Sequence, residues 1–341
     1  MPTTVSNLTF FDEVFTTAAY QGLTQFIDVW NARSGGALVL EAGATHGRTK
    51  SSTFFTRHKP LQRRDPGADA DVTPTRLANV ETKTTKVAYV AVTDWNSVEW
   101  EEQALGDETG TEIFGIAYGE HLAETYIASA LSALIGAIGS IDNQANIQAI
   151  LDVGDVTGVT PVLMDYGQIN KGRGLLGDRR SAANTLVSYS QPLVDLDDKA
   201  FSDSSIAFRL GGQQFFPGPT EMGIGMNVVN TDAEPLFREV TTAGGDTYVT
   251  PILFPGAVRI KTGVTRTSFN EVVGTRAAAP ENMQWRMRAE TSAEIEVMGA
   301  SYTGASNPLD ASLATLGNWT PTTGTEKQDV KNGPGVLLIT N

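Results

Sequence analysis

The 341 residues hold only three imidazoles, His46, His58 and His121, and no cysteine. Proton shuttling near neutral pH and thiolate chemistry therefore have little to work with. No HExxH helix, GxSxG elbow or paired-cysteine spacing occurs, so metal-assisted hydrolysis and acyl transfer leave no local signature. The run Gly172-Arg173-Gly174-Leu175-Leu176-Gly177 has the glycine spacing of a dinucleotide fingerprint, with Asp197 downstream. That fingerprint works only between a hydrophobic strand and a helix start, and no such strand leads into it, so the run reads as a helix-end loop. The segment Gly43 to Ser51 has glycines and a lysine, but Lys50 stands three places past Gly47, where a phosphate loop has its lysine directly after the second glycine. Asp65, Asp69 and Asp71 lack the Gly and terminal Glu of a calcium loop and read as a solvated turn. No catalytic residue, cofactor or metal is expected.

What the charged residues do show is segregation. Between Ala42 and Arg64 the chain carries Arg48, Lys50, Arg57, Lys59, Arg63 and Arg64 with no Asp or Glu, and between Val87 and Asn170 it carries no Lys or Arg. The second stretch holds Asp94, Glu99, Glu101, Glu102, Asp107, Glu108, Glu112, Glu120 and Glu124, among others. Mixed signs would solvate one surface equally well, whereas sorted blocks suit a subunit whose basic arm lies on the acidic face of a neighbour. The candidate contact set is Arg48, Lys50, Arg57, Lys59, Arg63 and Arg64 against Glu99, Glu101, Glu102, Asp107 and Glu108. The competing reading is that both blocks are merely solvated.

Composition sets outer limits. A hydrophobic fraction of 40% is ample for a core, and the length corresponds to about two domains. A net charge of -14 argues against a protein that grips nucleic acid, whose affinity would come from Lys and Arg. The lack of cysteine fits a reducing compartment. No basic n-region opens the chain, and the apolar run Ile127 to Ile138 is too short to span a bilayer.

The elements that would carry these residues follow from periodicity. Ala19, Leu23, Phe26, Ile27 and Trp30 predict a short amphipathic helix over Ala18 to Arg33, ended by Ser34-Gly35-Gly36. Residues 43 to about 75 show no sustained period, which marks a long functional loop. A strand is expected over Lys86 to Val92. Phe114, Tyr118, Leu122, Tyr126, Ala130, Leu134 and Ile138 then recur every four residues and predict a helix over 111–138, with Thr111 as cap and Gly139 as stop. Helices are expected at Asn143 to Leu151, from Thr160 to about Gly167, and at Leu193 to Phe201 after the cap Ser190-Gln191-Pro192. Strands are expected at Thr185 to Tyr189, Ser205 to Leu210, Gly225 to Val229 and Thr247 to Ile260. Beyond Pro280 the period becomes two: Trp285, Met287, Ala289, Ala293, Ile295 and Val297 alternate with polar neighbours, so a long strand with a break near Thr291 is expected. Gly335 to Ile339 predicts a final strand tied into a sheet.

This outline resembles the major capsid protein of tailed double-stranded DNA bacteriophages, the Hong Kong 97-like fold. Thr185-Leu186-Val187-Ser188-Tyr189-Ser190 and the helix after it resemble the strand and helix of that family's axial domain. Thr247 through Val258 is similar to that domain's later strand, which commonly ends in Gly-Ala. Gly299-Ala300-Ser301-Tyr302, Asn307-Pro308, Leu313-Ala314, Asn318-Trp319 and Gly335-Val336 resemble the way many of these coat proteins finish. The likeness runs from about Phe10 to Asn341.

The resemblance implies an α+β chain divided as an N-terminal arm and short helix (1–42), an extended loop (43–80), a peripheral domain (81–139 and 263–341) carrying the spine helix 111–138, and an axial domain (140–262) of mixed sheet flanked by helices. It implies a self-assembling subunit of an icosahedral head, not an enzyme, whose partners are other copies of itself in pentamers and hexamers. A separate scaffolding protein, a portal and decoration or cement proteins would join it, because no long charged helical segment precedes the fold. The shell would enclose the genome without sequence-specific DNA binding and without a membrane, having assembled in the host cytoplasm. No position matches a self-crosslinking site. A negative lining suits such a shell, since a basic one would pin the DNA being packed. Two other classes compete with this reading. A phage tail or decoration protein would be mainly β without a long strut helix, and a mixed α/β enzyme would need a cleft with a perturbed acid, base or metal ligand.

Overall fold

One helix organises the molecule. In the computed structural model, which describes residues 5–42, 49–55, 79–96, 108–154, 162–202, 208–210, 213–215, 226–239, 246–263, 266–273, 283–322 and 327–341, every residue from Ser129 to Ile138 is buried. The helix around them, Glu108–Asp142, spans 35 residues. At 1.5 Å per residue it is about 52 Å long. A helix that is apolar on all sides must be covered on all sides. By length and composition it could cross a bilayer, but 78% of its most apolar window is buried inside the protein. It is a core helix.

The first cover is the helix α1 (Val5–Arg33), which lies beside α2 (Glu108–Asp142). Phe15 meets Phe114 and Tyr118 with ring centroids 5.4 and 5.3 Å apart. Further along, Gly22 faces Ile116, and Phe26 and Trp30 share a cleft with His121, Glu124 and Thr125. The contacts advance together along both helices, so the two run in the same direction. Glycine makes the approach possible. A Cβ on Gly115 would stand 2.7 Å from the Ala18 Cβ and 2.8 Å from the Phe15 carbonyl, and one on Gly119 would collide with the backbone of Ala19 and Leu23. Because Phe15 is fully buried in this contact, α1 extends well before the expected start at Ala18.

The second cover is a six-stranded sheet, ordered β1 (Leu38–Ala42), β11 (Val258–Thr262), β13 (Met283–Val297), β3 (Asn79–Asn96) and β2 (Thr49–Phe55), with β12 (Arg266–Val273) also on β13. β1 runs parallel to β11, and the remaining pairs are antiparallel. β3 and β13 pair from Thr85 with Ile295 to Asn96 with Gln284. Met287, Ala289, Thr291, Ala293, Ile295 and Val297 are all buried, so the alternation passes through Thr291 without the expected break. The Thr291 hydroxyl is satisfied at 2.7 Å by the Tyr126 hydroxyl of α2, which is why a polar residue sits in phase with the core row.

The third cover is a second six-stranded sheet. Its order is β4 (Ile150–Asp152), β16 (Gly335–Thr340), β10 (Thr247–Leu253), β5 (Thr185–Ser188) and β8 (Asn227–Asn230), with β9 (Phe237–Arg238) also on β10. α3 (Tyr166–Gly174) and α4 (Ser190–Ser202) accompany it. β6 (Phe208–Leu210) and β7 (Gln213–Phe215) form a separate pair. The C-terminal strand β16 is tied down as expected, antiparallel to β10 and parallel to β4. β11 lies with the long strands and β16 with β10, so each sheet draws strands from both sides of residue 262. The last cover of α2 is the short helix α5 (Asp310–Leu313) with β15 (Trp319–Pro321), which pairs with β14 (Ala300–Tyr302). Here Trp319 Nε1 donates to the Leu313 carbonyl at 2.7 Å, directly above Gly136.

Several expected boundaries are corrected by tertiary contacts. Thr111 and Gly139 lie inside α2, since packing against α1 and α5 outweighs the local cap and stop signals. Residues 143–149 are not helical, because the Asp142 carboxylate accepts the backbone N–H groups of Ala149 and Ile150 at 2.6 and 2.9 Å and turns the chain into β4. α3 begins at Tyr166 rather than near Thr160, where Asp165 and Gln168 form a reciprocal capping box. The expected strand 247–260 is two strands that join different sheets, broken where Gly256 adopts φ +73°. β3 is much longer than 86–92, and β2 lies within the stretch expected to be loop. β6 covers Phe208–Leu210 and β8 Asn227–Asn230. α4 runs Ser190–Ser202, close to its expected span.

Two glycines of α2 separate packing from propensity. Gly119→Ala should destabilise the fold by about 1–3 kcal/mol through overpacking against α1. Gly139→Ala, whose Cβ would meet only the Leu316 Cβ at 3.4 Å, should be neutral or stabilising by up to about 1 kcal/mol. Leu134→Ala should cost about 2–5 kcal/mol, since Leu134 is fully buried. Denaturant midpoints measure all three.

Candidate assembly surfaces

A chain without a catalytic signature is best searched for the surfaces it offers and for the polar groups it buries. The glycine run at 172–177 is placed at the end of α3 and in the turn beyond it, where Gly177 adopts φ +58°. A helix C-terminus presents carbonyls and a partial negative charge, the opposite of what a pyrophosphate needs. Asp197 sits on α4. His121 is 80% exposed, 3.5 Å from Glu124. His46, His58, the segment 43–48 and Asp65, Asp69 and Asp71 lie outside the described residues. Among the described residues no group of three or more His, Asp or Glu could hold a metal ion.

Of the proposed contact set, Lys50 lies on β2 opposite Thr84, and Glu108 is the first residue of α2. Arg48, Arg57, Lys59, Arg63, Arg64, Glu99, Glu101, Glu102 and Asp107 lie outside the described residues. The acidic block continues in view along α2, where Glu112, Glu120 and Glu124 are exposed. The Lys and Arg ion pairs seen among the described residues use other groups: Glu41 with Arg259 and Lys261, Arg288 with Glu290, and Asp178 with Lys331 at 3.0 Å. Lys331 therefore holds the Asp178 carboxyl below its usual range, first by hydrogen bonding and then by charge. No Lys or Arg neutralises the α2 row among these pairs. Beside that row, α1, α2 and residues 230–233 enclose a cleft of about 620 Å³, lined by Phe26, Val29, Trp30, His121, Glu124 and Asp232, among others.

Where α2 meets the long hairpin, the polar groups form a chain that sequence reading missed. The Tyr89 hydroxyl lies 2.7 Å from Ser129 Oγ, which donates to Asp310 Oδ1 at 2.6 Å. The Tyr89 and Tyr126 rings meet edge-on with centroids 5.3 Å apart, and Tyr126 in turn reaches Thr291. Burial pushes both phenols well above their ordinary value, with Asp310 adding to the effect at Tyr89. Burial raises Tyr118 as well. The arrangement is a lock joining helix, hairpin and C-terminal segment, with each hydroxyl satisfied. Gly115 and Gly119, four residues apart on α2, let α1 approach this same helix closely.

Residues 7–337 match the family described as major capsid protein 13-like. Among solved structures, the chain is similar to the capsid of Ralstonia phage GP4, with 10% identity, 90% of this chain and 87% of that chain covered, and a TM-score of 0.50. The head of Helicobacter pylori bacteriophage KHP40 gives 10% identity, 89% and 87% coverage and a TM-score of 0.48. The capsid of cyanophage P-SCSP1u gives 9% identity, 77% and 84% coverage and a TM-score of 0.47. At such identity the first of these is a likeness of fold. No curated protein matches the chain.

The buried phenols set a pH dependence. A phenol whose folded pKa is raised above its unfolded value of 10.0 contributes stability that is fully present below the unfolded value and is lost progressively as pH rises from there to the raised folded value. Unfolding free energy should therefore fall above about pH 10, by about 1.4 kcal/mol per pH unit for each phenol still protonated in the folded state. Tyr89→Phe and Tyr126→Phe should each flatten that decline in denaturant titrations between about pH 8 and 11.

Proposed function

The chain belongs to the major capsid protein 13-like family, and from that premise we propose that it assembles into the pentamers and hexamers of an icosahedral phage head through its sorted charges. A major capsid protein is a structural subunit of the virion shell, so the role is mechanical and not catalytic. The domain plan is the Hong Kong 97-like one: arm and first helix in 1–42, extended loop in 43–80, peripheral domain in 81–139 and 263–341, axial domain in 140–262. Scaffold, portal and decoration or cement proteins are its further partners. Assembly takes place in the host cytoplasm, and the double-stranded DNA is enclosed by a lining that repels rather than binds it.

The observation that carries this reading is the unneutralised row on α2. Glu112, Glu120 and Glu124 face solvent, while the Lys and Arg ion pairs seen among the described residues consume other groups. The chain's densest basic segment, 42–64, contains no acid of its own. Two blocks of opposite sign, sorted apart along the chain, suit contacts between subunits. The arm of one copy lies along the acidic segment and α2 of the next, with Arg57, Lys59, Arg63 and Arg64 against some of Glu99, Glu101, Glu102, Asp107 and Glu108. Each exposed pair contributes about 0–1 kcal/mol. Repetition over every subunit makes assembly steeply sensitive to charge and penalises wrong registers through like-charge contacts.

Negative-stain microscopy of the expressed protein should show closed shells, tubes or free capsomers. Arg63→Glu with Arg64→Glu should impair assembly, and Glu101→Lys with Glu102→Lys in the same chain should partly restore it. Normal assembly of the Arg63→Glu, Arg64→Glu protein from about 50 to about 500 mM salt would show that the two blocks do not meet.

A further inference from the structure

The far end of the long hairpin is a three-stranded strip. β12 lies on one side of β13 and the last half of β3 on the other, with Ser268, Arg288 and Val92 in one row. Hydrogen-bond direction along a strand alternates. The Ala88 N–H points away from β13, because it donates to Asn307 Oδ1 at 2.7 Å. By the same parity the N–H and C=O of Val90, Val92, Asp94 and Asn96 point outward too. β2 covers this side of β3 only from Asn79 to Thr85. Asn307, held at φ +54°, caps the edge at Ala88. Beyond that plug no strand pairs with β3 among the described residues. On the opposite side of the strip β12 pairs only with β13 among the described residues. Its rows with Arg288 and Glu290 turn the backbone N–H and C=O of Thr267, Phe269, Glu271 and Val273 outward.

Folded proteins blunt exposed edges with Lys, Pro, bulges or a covering element. Neither edge carries Lys or Pro: one reads Val90-Ala91-Val92-Thr93-Asp94-Trp95-Asn96, the other Arg266-Thr267-Ser268-Phe269-Asn270-Glu271-Val272-Val273. Val90 and Val92 are 59% and 53% exposed, apolar surface where a solvated edge would place polar side chains. β3 lower down, where β2 and Asn307 complete the edge, does carry Lys83 and Lys86. Open edges of similar length on opposite sides of one strip are complementary head to tail, each copy offering one and accepting the other.

Resting on the capsid reading, we infer that the β3 edge from Val90 to Asn96 takes the outer edge of β12 from a second copy, extending the sheet from subunit to subunit. The backbone ladder supplies the bonds. Asn307 fixes the register by stopping the incoming strand at Val90.

Hydrogen exchange on the wild-type protein reads this without any substitution. Segments 89–96 and 266–273 should exchange rapidly in free subunits and become protected in shells. Val92→Pro removes an outward N–H while leaving the ladder to β13 whole, and Phe269→Pro does the same on β12. Each variant alone should lower the yield of sedimenting shells by about tenfold or more, with circular dichroism and thermal midpoint unchanged. An equimolar mixture should regain binary complexes, since the intact β12 of one variant meets the intact β3 edge of the other, yet form no shells. Wild-type shells in which either segment stays unprotected overturn the inference, as do normal shell yields from either folded variant or a mixture without complexes. Failure of the wild-type protein to form shells, tubes or capsomers would instead count against the capsid reading itself.

Discussion

Everything in this fold depends on hiding one helix. The second half of α2 has no polar face, and water must be excluded from all sides of it at once. α1, the long hairpin, the second sheet and the C-terminal segment each cover part of it, and none of the four would bury its own apolar side without α2 between them. Glycine sets the distance. At Gly115 and Gly119 the backbone of α1 rests on that of α2, and at Gly136 the Leu313 carbonyl and Trp319 ring do the same. Backbone contact at that range leaves little freedom for the helices to slide, because close-packed interiors are bistable rather than soft.

The polar side chains in this core act as fasteners. Tyr89, Ser129 and Asp310 connect the hairpin, the helix and the tail, and Tyr126 with Thr291 adds a second tie between helix and hairpin. Each of these four hydroxyls has a partner, so desolvation is offset and the geometry is specific. Elsewhere the chain uses the same device to close seams. Asn31 exchanges two hydrogen bonds with Leu40, and Asn341 exchanges two with Val162, binding α1 to β1 and the last residue to the entrance of α3. The interior is therefore rigid, and adaptability is left to the surface.

A shell subunit needs that division. Its interior must deliver the same shape in every copy, while its edges carry the contacts between copies. The acidic row on α2, the cleft beside Trp30 and the open sides of the hairpin tip all lie outside the locked core. Long-range charge guides approach and rejects wrong registers, whereas backbone pairing at an edge has a fixed geometry. The two kinds of contact differ in salt dependence and range, and their combination suits assembly that must begin loosely and end in a defined lattice.

Periodicity in the sequence was enough to find α2, the alternating strand β13 and the buried final strand, because each carries its own hydrophobic pattern, while the cap Ser190-Gln191-Pro192 marked α4. The sequence also disclosed the sorted charges, and the class of function came from the resemblance carried by residues 185–190, 247–258 and 299–336. Cap and stop residues misled wherever a neighbour overruled them. Gly139 is no stop in a helix that remains buried beyond it, and the stretch after Asp142 cannot be helical once that carboxylate holds Ala149 and Ile150. Local pattern also could not show that residues 247–260 divide between two sheets, or that the last strand lies beside β10 rather than beside the long hairpin. Pairing depends on contacts between residues far apart in sequence, and those are decided only when one helix has to be covered from every side.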